Sequence, residues 1–291
     1  MTSSALILRW FPSFIKITLC LSAACALARP IHANAVFLPE SRHQQFLTYA
    51  LFTEEHSALL IRDSGRAWGS LGGAITLFEE SDWLYHPQLV LHGSANSAFR
   101  FNPTYLGLLT ETTDARAGLA VELSLSEQMR LSIGWLHASG HISDDVTDRR
   151  LIGPNLGNDY LPLRLIYDIP SGNLGGWRLG LTVRPLIGSD PPMKPLALDQ
   201  FIEWFPFGVT DNPRAGTLFL TAGFEEYGSD QYRLTTTLQG GIYFGNHTRP
   251  QHHTSLRLLV GYYSGWDPSL KYAQFELATT RFAYTGINFD F

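Results

Sequence analysis

Alternation with a period of two residues, sustained over segments of about 10 to 13 residues and repeated along the chain, most limits what this sequence can become. From Met129, the side chains of Leu131, Ile133 and Trp135 share one face of an extended strand, and Arg130, Ser132 and Gly134 share the other. Ala115, Ala117, Leu119, Val121 and Leu123 oppose Asp114, Arg116 and Glu122 in the same way. Leu163, Leu165, Tyr167 and Ile169 oppose Arg164 and Asp168, and Leu179, Leu181 and Val183 oppose Arg178, Thr182 and Arg184. Arg116, Arg130, Arg164, Arg178, Arg184, Arg233 and Arg257 all fall on the polar face. A water-soluble sandwich would bury the apolar face and leave these arginines in solvent, and alternation by itself allows that.

Segment length argues for the inverse arrangement, because a tilted strand crossing the hydrocarbon of a bilayer needs about 9 to 11 residues while soluble strands average about half a dozen. Spacing adds to it. Glu79 to Asp82 and Leu125 to Gln128 read as tight links, and Ser97 to Thr113 and Ile142 to Gly157 as long ones, the asymmetry of a barrel with short periplasmic turns and long outer loops. Strand starts near Ser57, Ala67, Trp83, Thr113, Met129, Gly157, Trp177, Leu196, Thr217, Gln231, Ser255 and Thr279 make about twelve. The expected fold is therefore all-β, a transmembrane antiparallel β-barrel of about 12 strands over residues 57–291.

Arg9 and Lys16 precede an apolar stretch from Ile17 to Ala28 and the small-x-small tripeptide Ala33-Asn34-Ala35, so residues 1–35 read as a secretory signal. Cleavage at Ala26-Leu27-Ala28 is an alternative, and Leu21-Ser22-Ala23-Ala24-Cys25 approximates a lipoprotein box with its Leu one place too far from the Cys. Residues 36–56 are expected to be a periplasmic lead-in. Removing 1–35 takes Arg9, Lys16 and Arg29 and no acid, so a net charge of -5 becomes -8. Cys20 and Cys25 leave with it, which excludes a disulfide framework and thiolate metal ligands. With an acidic balance and scattered basic residues, nucleic acid is not expected as a partner.

Continuing the parity of Trp135 along its strand places His137, Ser139 and His141 on the lipid-facing side. A His and a Ser two apart on one face give a hydroxyl nucleophile a neighbouring base. Asp159 shares the outward parity of Leu161 and Leu163 on the expected neighbouring strand and could orient the imidazole; Asn158, beside it, has the opposite parity. The plainer reading puts His137, His141 and Trp135 in the interfacial belt of amphipathic rings.

The final strand, Phe282 to Phe291, ends on an aromatic residue and resembles the C-terminal signature of bacterial outer-membrane barrels, which implies recognition of Phe291 by the barrel assembly machinery. The His-x-Ser arrangement is similar to that of outer-membrane phospholipase A, a twelve-stranded barrel. That resemblance implies His137 as base, Ser139 as nucleophile, an Asn or Asp from the next strand as third member, outer-membrane lipids as substrate and calcium as a helper. The family follows its Ser with Asn-Gly, where this chain has Gly140-His141, and its third residue comes sooner after the His than Asn158 or Asp159 does. His137-Ala138-Ser139-Gly140-His141-Ile142-Ser143-Asp144 also resembles the H-x-S-S-H-x-G-D segment of an uncharacterised family of bacterial outer-membrane proteins ending in a G-x-x-F-x-F-like strand, which Gly286 to Phe291 matches.

Asp144, Asp145 and Asp148 supply oxygen ligands of the kind calcium takes, and His247, His252 and His253 could hold a softer metal. On the lumen side, Glu122, Asp168 and Glu225 are expected to pair with the arginines, giving a packed plug or, if enough arginines stay unpaired, an anion-preferring pore. Two functions follow: a lipid acyl-ester hydrolase, or a barrel without catalysis that serves as a narrow pore or surface scaffold.

Overall fold

The computed structural model describes residues 35–37, 51, 57–62, 65–80, 83–102, 107–143, 156–172, 175–207, 216–245, 255–269 and 279–290. Asp144, Asp145, Asp148, His247, His252, His253, Phe291 and all of the expected signal but Ala35 lie outside them. The strands are β1 Ala35–Phe37, β2 Ser57–Arg62, β3 Arg66–Glu80, β4 Gln88–Asn102, β5 Gly107–Ser124, β6 Met129–Ile142 and β7 Leu156–Tyr160. They continue as β8 Leu163–Gly172, β9 Gly175–Asp190, β10 Leu196–Phe205, β11 Thr217–Tyr227, β12 Arg233–Phe244, β13 Ser255–Gly265 and β14 Thr280–Asp290.

Every pairing is antiparallel, and the sheet closes where β14 pairs with β2 and β2 with β3. β7 and β8 together fill one position between β6 and β9, so the wall has twelve staves. Pro162 explains the interruption, since a residue without N–H cannot donate to the ladder. The wall stays bonded across the break: Gly134 N–H donates to the Pro162 carbonyl at 3.0 Å and Leu161 N–H to the Pro185 carbonyl at 2.9 Å. β1 lies on the same edge of β3 as β2, pairing Ala35 with Glu80 and Phe37 with Phe78. Joining the first stave to the last is what lipid demands, because an open sheet edge there leaves backbone groups unpaired.

The apolar face looks outward. Leu163 is 44% exposed, Leu165 38% and Leu181 41%, whereas the Arg130 and Arg178 side chains, on the opposite face, are 11% and 12% exposed. That is the surface of a membrane-spanning barrel, and no shared interior gathers these leucines as a sandwich would.

Two expectations change. Ser97 to Thr113 is not a long loop: β4 and β5 stay paired out to Asn102 and Gly107, with a bulge between Ala98 and Phe99. The stave expected near Trp83 starts at Gln88, with Trp83 in the preceding turn. Long links consequently occur at both ends of the barrel, at 143–155 and 266–279 on one and at 206–216 and 245–254 on the other.

Inside the bore, aromatic and charged side chains pack together. Trp68 stacks on Phe282 at 5.8 Å and Phe282 on Tyr263 at 5.0 Å, while the Arg62 guanidinium sits 3.9 Å above the Phe282 ring. Leu51, from the segment expected as a lead-in, is buried against Ile166 and Phe201. Beyond β13 the chain turns back inward: Trp266 is 1% exposed, its N–H donates to Thr235 Oγ1 and its indole N–H to the Tyr227 carbonyl. Ser269 meets Thr112 of β5 hydroxyl to hydroxyl at 2.7 Å. The turn thus caps that end of the bore.

Candidate active site on the lipid-facing wall

The strand pleat puts Trp135, His137 and Ser139 on the outer wall of β6, with Leu136, Ala138 and Gly140 buried on the inner side. β7 pairs with β6 so that His137 faces Asp159 directly and Ser139 faces Gly157. Across that ladder His137 Nδ1 lies 3.0 Å from Asp159 Oδ1. The two side chains are 29% and 19% exposed, half sunk into the wall. Trp135 donates its indole N–H to the same Oδ1 at 3.2 Å and stacks against the His137 ring, with centroids 6.3 Å apart and planes 27° apart.

A bulge in the β7–β9 pairing, between Asp159 and Tyr160, sits beside the pair. Bulges change where a strand aims its side chains, and here Asp159 comes to lie opposite Gly188. Small residues lie beside the pair on the strands to either side. Ala117 and Ala115 oppose His137 and Ser139 on β5. Gly157 and Gly188 flank the pair on the other side, where an added Cβ would stand 3.9 Å from His137 Cε1 and 3.3 Å from Asp159 Oδ2 respectively. The Cε1 edge of the imidazole leans toward the row that holds Ser139 and Gly157.

Among the described residues no hydrogen bond joins Ser139 Oγ to His137. Residues two apart on a strand stand about 6.6 Å apart, so the contact needs both side chains to lean together, and here the ring is drawn across to β7. Asn158 points the other way. It is fully buried in the bore, where its Nδ2 donates to Met193 Sδ at 3.1 Å. Asp159 is the carboxylate that meets the imidazole. His141, four residues beyond His137 and one before the end of β6, is exposed.

The residue that sequence reasoning left out of the site is Trp135. Its parity with His137 was the available signal, but a Trp at the edge of an apolar band also reads as a membrane-interface ring. Gly157 and Gly188 were missed because their effect depends on register between strands.

The charged residues of the bore form a separate system. Asp168 accepts from Arg178 Nε at 2.7 Å and from Arg130. Arg184 reaches Asp199 at 2.5 Å and Glu225 at 3.8 Å, and Arg164 Nε donates to Thr182 Oγ1 at 3.2 Å. A cavity of about 20 Å³, room for about one water, lies beside Arg116, Asn158, Tyr160 and Arg184, and a more open space of about 470 Å³ lies beside Ser57, Gly72, Ser94 and Arg116. Among the described residues no group of three or more His, Cys, Asp or Glu is arranged to hold a metal.

No family model matches the chain, and no curated protein matches it. Solved structures do share its fold. Outer membrane phospholipase A from Escherichia coli is 14% identical, with 81% of this chain and 95% of that one covered and a TM-score of 0.52. An active-site Asn-to-Ala mutant of that protein is 13% identical over 85% and 95%, with a TM-score of 0.53. The Salmonella typhi outer membrane phospholipase dimer with bound calcium is 14% identical over 81% and 89%, with a TM-score of 0.48. At this identity the likeness is one of barrel architecture.

Proposed function

We propose that the protein is a lipid-acting acyl-ester hydrolase of the bacterial outer membrane. One observation carries the reading: an imidazole held by a carboxylate at 3.0 Å, with a serine next on the same strand face, set in a wall that presents mainly apolar side chains to lipid. A polar pair at that depth is costly unless it is used, and a carboxylate that fixes one ring nitrogen prepares the other as a base. The barrel shared with outer membrane phospholipase A supports a phospholipid as substrate.

In the proposed reaction His137 and Ser139 lean together, and Ser139 Oγ attacks the ester carbonyl carbon while its proton passes to His137 Nε2. Asp159 holds the ring through Nδ1 and stabilises the imidazolium. Collapse of the tetrahedral intermediate breaks the bond to the leaving alkoxide, which takes the proton from Nε2 and leaves the acyl group on Ser139. A water then repeats the sequence, releasing the fatty acid and restoring the hydroxyl. These steps use the chain's own groups. If calcium assists, Asp144, Asp145 and Asp148 would hold it, and its charge would favour the developing oxyanion. The signal at 1–35 and recognition of Phe291 by the assembly machinery belong to the same proposal of an outer-membrane location.

Purified protein given a short-chain phospholipid in mixed micelles is expected to release fatty acid, and Ser139→Ala to lower kcat at least 1,000-fold, on the order of a lost nucleophile. Equal turnover in the variant would end the reading. The open Ser139–His137 contact favours a second reading, a barrel without catalysis. For that reading planar-bilayer recordings separate a narrow pore, which gives steady conductance, from a scaffold, which gives none.

A further inference from the structure

Trp135 and His137 each direct a ring nitrogen to one atom. Trp135 Nε1 lies 3.2 Å and His137 Nδ1 3.0 Å from Asp159 Oδ1. An indole nitrogen can only donate, so Oδ1 is an acceptor in this cluster and Nδ1 must carry a hydrogen to bond it. In a neutral ring Nε2 is then bare, and it is the nitrogen a base needs. Which tautomer forms depends on how the carboxylate is turned.

What fixes that turn is in the neighbours. On the far side of the carboxylate stands Gly188, with no side chain to brace Oδ2; an added Cβ there would be 3.3 Å away. Among the described residues Asp159 has two side-chain partners, the imidazole it must orient and the indole. The indole is itself fixed, because it stacks on the His137 ring and stands two residues from it on the same strand face. An interfacial belt ring needs its N–H toward headgroups and water. Here the N–H is spent on a carboxylate.

We infer that Trp135 is a positioning residue of the proposed site: its indole N–H fixes the Asp159 carboxylate so that Oδ1 holds His137 by Nδ1 and keeps Nε2 bare. This rests on the hydrolase reading for its consequence in turnover, but not for the tautomer itself. Removing the donor frees the carboxylate to rotate, so the ring samples both tautomers and stands ready for Ser139 less of the time.

The test uses the full-length protein in detergent micelles with ¹⁵N-labelled histidine, His137 being assigned by the signal lost in His137→Gln. Trp135→Phe keeps an apolar ring at the same place and deletes the N–H. The expected result is a single Nδ1–H tautomer in the parent, a mixture of tautomers in Trp135→Phe, and a kcat lower by about 10 to 100-fold with KM nearly unchanged. In an Asp159→Asn background the same substitution is expected to cost nothing further, because both act through one carboxylate. An unchanged tautomer in Trp135→Phe, or losses that multiply in the double variant, would overturn the assignment, since a belt ring acts independently of Asp159. Should the Phe variant fail to fold, Trp135→Leu, which also lacks a donor, carries the same measurements. If the parent shows no turnover at all, the hydrolase reading falls, and the tautomer shift alone decides the role of Trp135.

Discussion

At the scale of single residues the molecule separates two kinds of polar contact. In the bore, Arg184 and Asp199 are a buried ion pair, with side chains 12% and 3% exposed. Such a pair adds little net stability over an apolar substitute, yet removing one partner strands the other charge. Asp199→Ala is therefore expected to destabilise the barrel by about 3 to 5 kcal/mol, part of it recovered through the more distant Glu225. Denaturant unfolding followed by tryptophan emission would measure it, and a change under 1 kcal/mol would mean that Glu225 alone can hold the guanidinium. On the outer wall, His137 and Asp159 are paired half-buried, and among the described residues no arginine bonds to either. Their arrangement suits chemistry better than cohesion.

At the scale of elements, the inward turn after β13 behaves as a unit. Asp267 lies in it outside the membrane-crossing strands, and burial pushes its carboxyl above the usual carboxylate range, against the Ser269 N–H that bonds Oδ1 at 3.0 Å. A raised folded value means that the cap's contribution to stability is greatest below the ordinary carboxylate value and is lost as pH rises through the raised one. Asp267→Asn keeps the acceptor and removes the charge, so its thermal unfolding is expected to lose that pH slope and to exceed the parent's stability at neutral pH. Parallel pH profiles for the two proteins would refute this.

The same scale shows what the sequence could reveal. Facing direction along β6 was legible because the pleat fixes it: once Leu131 and Ile133 point to lipid, His137 and Ser139 must too. The partnership of His137 with Asp159 was legible as parity, but its register depends on where β7 resumes after 143–155, which local pattern does not set. The hairpin of β4 and β5 was hidden by Asn102-Pro103 and a run of threonines that read as loop. The inward course of Leu51 and Trp266 left no periodic trace, because it comes from packing between distant staves.

For the whole molecule, the outward face should tolerate changes in apolar shape and resist charge. Leu181→Arg, near the middle of β9, is expected to cost about 2 to 4 kcal/mol in folding into vesicles, the penalty for a cation near the bilayer midplane. Val183→Ile on the same face should be close to neutral. Equal folding yields for the arginine variant and the parent would contradict the assignment of this surface to hydrocarbon.

His137 and Asp159 lie on the outer wall, on the far side of the sheet from the bore that Leu51 and Trp266 enter. A wall standing in a leaflet can be approached at His137 by molecules gliding sideways past it. Encounters there are two-dimensional, and the relevant abundance is mole fraction within the sheet of lipid, not molarity in the surrounding water.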